Sequence, residues 1–156
     1  MTPTHPPTGG DGGANQTILA SPELAEQGVY GNCMQAAIAT VLRKPLDAVP
    51  HFGAFAWWPG ALRLWLRGEG LDYTVMKAPP IPEERAMLCG KSLRGYAHAV
   101  VSEGGRIIWD PHPSRAGLTT ISGAYVIHAW DLTEDKPSDI DHLLTAEHHL
   151  PEGSPS

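Results

Sequence analysis

The chain has 156 residues, the size of one domain, and 42% of them are hydrophobic, enough for a single real core. A formal net charge of −6 argues against nucleic acid or an anionic membrane as the main partner. No apolar run is long enough to span a bilayer and no signal peptide opens the chain, so the expectation is a cytoplasmic protein. Two cysteines far apart, Cys33 and Cys89, make no disulfide framework. The 17 Gly and 15 Pro predict short elements and many turns.

Residues 1–16 are rich in Pro, Gly and Thr and are expected to form a disordered leader that buries little. A short helical turn is expected after it, with Ser21 as cap, Pro22 at the first position and Glu23 following. Gly28 and Gly31 punctuate a loop. From Cys33 to Arg43, Met34, Ile38 and Val41 recur at helical spacing, with Asn32 as N-cap and Pro45 as terminator. Residues 46–50 read as a turn or short helix. Pro59 and the run 61–67 predict a second helix, ended by Gly68 and Gly70.

Beyond Gly70 the pattern turns strand-like. Strands are expected around 73–77, 86–89, 97–102, 106–110 and 124–130, with Gly104-Gly105 as a tight hairpin. Helices first and an antiparallel sheet second define an α+β order. The domain is placed at 17–132, and 133–156 is read as an acidic, flexible tail with a weak helical patch at Ile140, Leu143 and Leu144.

The organising stretch is Gln27-Gly28-Val29-Tyr30-Gly31-Asn32-Cys33-Met34. It sets a thiol at the start of a helix, where the positive end of the dipole favours thiolate, the nucleophilic form. A cysteine nucleophile needs a base within hydrogen-bond reach and a group to hold that base. His98 lies on one strand of the Gly104-Gly105 hairpin and Asp110 ends the other, so folding about the turn brings them to the same end. His112, in Asp110-Pro111-His112-Pro113, is a rigid-turn histidine and a candidate groove residue. Trp57 and Trp58 are read as core aromatics or as one wall of a substrate groove. Cys89 reads as a small buried hydrophobe or as a resting-state disulfide partner of Cys33. His128 is read as structural, and His142, His148 and His149 as solvated.

The pattern Gln27-Gly28-x-x-Gly31-x-Cys33 resembles the nucleophile motif of papain-like cysteine peptidases. It is nearest in size to the compact bacterial and phage members, such as bacteriocin-leader peptidases and cell-wall amide hydrolases. The resemblance covers about residues 27 to 130. It implies a papain-like fold with Gln27 as oxyanion donor, Cys33 as nucleophile, His98 as general base and acid, and Asp110 orienting the ring. It implies a cysteine peptidase or amide hydrolase working through a thioester, with a peptide or other amide as partner and no cofactor. Two departures stand out: Met34 replaces the motif's aromatic, and Asp110 replaces the more familiar Asn. Three other readings stay open. They are an acyltransferase, transglutaminase-like or peptide-ligating enzyme with the same triad, a catalytically inactive binding module, and a metal site built from Cys33, His98, Asp110 and His112.

Overall fold

The computed structural model describes residues 13–131, so the expectations for 1–12 and 132–156 lie outside the described residues. The chain is α+β. Helices α1 (Pro22–Glu26), α2 (Cys33–Leu42) and α3 (Trp58–Gly68) precede five strands: β1 (Leu71–Met76), β2 (Ala86–Lys91), β3 (Ala97–Glu103), β4 (Arg106–Trp109) and β5 (Thr120–Ala129). All pairings are antiparallel, in the order β1-β5-β2-β3-β4, so the last strand inserts between the first two.

Helix α2 is the central buried element. Its small residues Ala36, Ala37 and Ala39 are fully enclosed, so its backbone approaches β3 and β2 closely. It stops where Arg43 turns left-handed (φ 57°) ahead of Pro45. Helix α3 is amphipathic: Leu62 and Leu66 go to the core, while Arg63 and Arg67 grip the buried carboxylate of Asp72 on β1. Alternation along the strands gives the sheet two apolar faces. Met87, Ala99, Val101 and Tyr73 join the helix side, while Leu88, Val100, Ala124 and Val126 form a second cluster with Ile81, Ile107 and Leu118.

Glycines shape both ends of the β3 strand that carries His98. Gly104 and Gly105, both at positive φ, close the β3–β4 hairpin. Gly90 stands directly opposite His98, and a Cβ there would lie 1.9 Å from the Thr120 carbonyl oxygen, so only glycine lets β5 pass at its bulge.

The described part of the expected leader, residues 13–16, is packed into the fold. Ala14 is 2% exposed; its N–H donates to the Thr40 hydroxyl (2.8 Å), and its carbonyl accepts from Trp109 Nε1–H (2.8 Å). The Gln16 N–H donates to the Pro111 carbonyl (3.2 Å), and the Thr17 and Ile18 N–H groups donate to the Asn32 side-chain oxygen (2.9 and 2.8 Å). Residues 13–18 therefore form a strap that joins α2 to the segment following β4. Composition pointed to disorder, but backbone hydrogen bonding to distant partners outweighs it.

Candidate active site

Cys33 is the first residue of α2 and is 3% exposed. The sequence offers Asn32 as the helix cap, and Asn32 does occupy that position, but its side chain makes no capping bond. Its oxygen is spent on Thr17 and Ile18, and its amide donates to Thr17 Oγ1 and Gln35 Oε1. The N–H groups of the first helical turn, which have no intrahelical acceptor, are thus left unclaimed by the cap residue. They mark the positive end of the helix, of which Cys33 is the first residue.

His98 near the start of β3 and Asp110 just after β4 are each 4% exposed. His98 Nε2–H donates to Asp110 Oδ1 at 2.7 Å. The Asp110 carboxylate is fully engaged: Oδ1 also takes the His112 N–H (2.9 Å), and Oδ2 takes the Gly117 N–H (2.7 Å). Burial opposes ionisation of Asp110, but the His98 bond and these two backbone N–H groups outweigh it and lower its pKa. Burial likewise pushes the His98 imidazole down. Hydrogen bonds with Asp110 and Cys33, and the charges of both, more than reverse this and lift it to about 9. With Nε2 committed to Asp110, Nδ1 is the nitrogen left for the Cys33 sulfur.

The remaining candidates divide. His112 stands edge-on to His98, ring centroids 6.2 Å apart, and its Nδ1 accepts the Ser114 N–H (3.0 Å). Burial and then Arg94 lower its pKa, so it faces His98 as a neutral ring. Gln27 caps the C-terminus of α1, its backbone N–H bonded to Leu24 and its side chain exposed. Trp58 packs on Tyr125 in the core (5.3 Å), and Trp57 lies over Gly60 of its own helix. Cys89 is a free thiol pushed up to about 12 by burial and by the nearby Cys33. Among the described residues no group of three His, Cys, Asp or Glu side chains is arranged to hold a metal, so Cys33, His98, Asp110 and His112 do not form that alternative centre. No described helix is long and apolar enough to cross a membrane.

The residue that sequence reasoning missed is Gln16. It is 8% exposed, and its Nε2 donates to the Ile18 carbonyl (2.9 Å), the same oxygen that accepts the Asn32 N–H (3.1 Å). A buried carboxamide therefore shares an acceptor with the Asn32 N–H, one residue ahead of Cys33. Its position in a Pro/Gly-rich leader hid it, and the only available signal was its place just ahead of Thr17-Ile18, where the chain turns apolar. The chain matches no family model, no curated protein and no solved structure.

Proposed function

We propose that the protein is a papain-like cysteine hydrolase of peptide or other amide bonds. The single observation that supports this is the convergence of Cys33, at an uncapped helix start, with a buried His98 held by an ionised Asp110. In the proposed reaction the Cys33 thiolate attacks the amide carbonyl carbon. The first-turn N–H groups of α2 receive the developing oxyanion, and the C–N bond breaks as the imidazolium gives its proton to the departing amine. Water then attacks the thioester, His98 takes one of its protons, and a carboxylic acid is released as the Cys33 thiolate departs beside the imidazolium.

The side-chain oxyanion donor in this reading is Gln16 rather than Gln27. Nε2 carries two hydrogens, of which one goes to Ile18, leaving the other free to donate, whereas Gln27 points to solvent. The test is alkylation by iodoacetamide at pH 7 with peptide mapping. Cys33 is expected to label well before Cys89, and His98→Ala is expected to abolish the difference. Faster labelling of Cys89, or no effect of the His98 substitution, refutes the assignment. Products formed with added amine distinguish transfer from hydrolysis.

A further inference from the structure

The formal charge of −6 gives no hint of the local charge around the sulfur. Two segments, 88–102 and 110–120, build the end of the sheet that carries His98. Their charged side chains are Lys91, Arg94, Arg115 and Asp110, and Asp110 is already committed to His98. Among the described residues none of these three cations is paired with a carboxylate.

A continuous set of contacts ties the cations to the site. Arg94 Nη1 donates to the Ser114 hydroxyl (3.3 Å); that hydroxyl lies 2.9 Å from His112 Nδ1, and the His112 ring faces His98. Arg115 is anchored from below: it donates to the Asp110 and His112 carbonyls (2.7 and 3.1 Å) and lies 4.2 Å over the Trp109 ring. Lys91 follows Gly90, the residue opposite His98, and its carbonyl holds Thr119. Arg94 and Lys91 are exposed, while Arg115 is fixed as part of the platform.

We infer that Arg94, Lys91 and Arg115 form an anion-recognising rim beside Cys33, and that the acyl substrate carries a carboxylate close to the bond that is cleaved. The inference rests on the hydrolase reading and names its substrate class. Without a cationic rim, an anionic substrate would gain nothing as it approached this acidic chain. With it, the field at the mouth is locally positive and orients the incoming carboxylate. A neutral His112 between Arg94 and His98 adds no competing charge.

The rim is tested with two alkylators of similar shape and different charge, iodoacetate and iodoacetamide, on the full chain carrying Cys89→Ala. The readout is the ratio of their rates at Cys33, divided by the same ratio for a neutral cysteine derivative. The expected value is above one and falls toward one as salt is added. Arg94→Glu reverses one charge of the rim and is expected to lower the ratio severalfold at low salt. Lys91→Glu is expected to act in the same direction. Arg106→Glu, at the hairpin end of β4, makes the same change in net charge and is expected to leave the ratio alone. A normalised ratio at or below one, or equal effects of Arg94→Glu and Arg106→Glu, overturns the rim while leaving the hydrolase intact. A Cys33 that resists both reagents overturns the hydrolase and the rim with it.

Discussion

Asp110→Asn separates the charge of the orienting group from its shape, and the structure fixes what the change should do. Burial is the strongest influence on the His98 ring and pushes it down; Asp110 and Cys33 carry it up to about 9 from an ordinary 6.5. That elevation corresponds to about 3 kcal/mol of folding stability. Because the folded-state value is the higher one, the contribution is fully present below pH 6.5 and is lost as pH rises through 9. With asparagine the carboxylate charge disappears, so His98 should titrate well below its wild-type value, and the loss of stability between pH 6 and 9.5 should shrink. A second cost is independent of pH. Both Asp110 oxygens accept hydrogen bonds, so an asparagine that turns its oxygen to His98 and His112 sets its NH2 against the Gly117 N–H. One unsatisfied buried donor costs about 1–3 kcal/mol. This is also a physical reason for aspartate at a position where the resembled motif has asparagine. The assays are NMR titration of the His98 ring proton and urea unfolding at pH 6 and 9.5. A His98 that titrates identically in both proteins would refute the account, as would a wild type equally stable at both pH values.

Three further outcomes follow from the same contacts. Gln16→Ala should slow turnover of an activated amide or ester about a hundredfold, and Gln27→Ala should not; steady-state kinetics with the effects exchanged would return the oxyanion role to Gln27. Asn32→Ala removes the acceptor of two strap N–H groups and should cost about 2 kcal/mol or more, with faster hydrogen exchange at the Thr17 and Ile18 amides; unchanged exchange would mean that the strap is held from elsewhere. Cys89, pushed up to about 12, should remain a thiol at pH 8 and contribute no fast-alkylating fraction; rapid modification of Cys89 in a Cys33→Ala background would contradict that shift.

Much of this was legible in the residues. The apolar spacing after Cys33 marks α2, and the Gly104-Gly105 turn shows that His98 and Asp110 arrive at one end, because hairpin register is set locally. The sheet order was not legible. Insertion of β5 between β1 and β2 is a long-range pairing, and no local pattern encodes which strands become neighbours. The cap at Asn32 was half legible: the position follows from propensity, but its side chain goes to strap amides 14 and 15 residues upstream, a competitor that spacing does not reveal. The same strap hid Gln16, since Pro/Gly-rich composition reports weak intrinsic structure and is silent about backbone groups recruited from afar.

The strap also bears on when Cys33, His98 and Asp110 come together. Ala14 must wait for Trp109, ninety-five positions later, before its carbonyl finds the indole. The sulfur at position 33 therefore leaves the ribosome long before the imidazole and carboxylate that would activate it. Contacts of such separation close late. As the chain emerges, Cys33 has neither His98 nor Asp110 beside it, and the three meet only once β4 has formed against the strap.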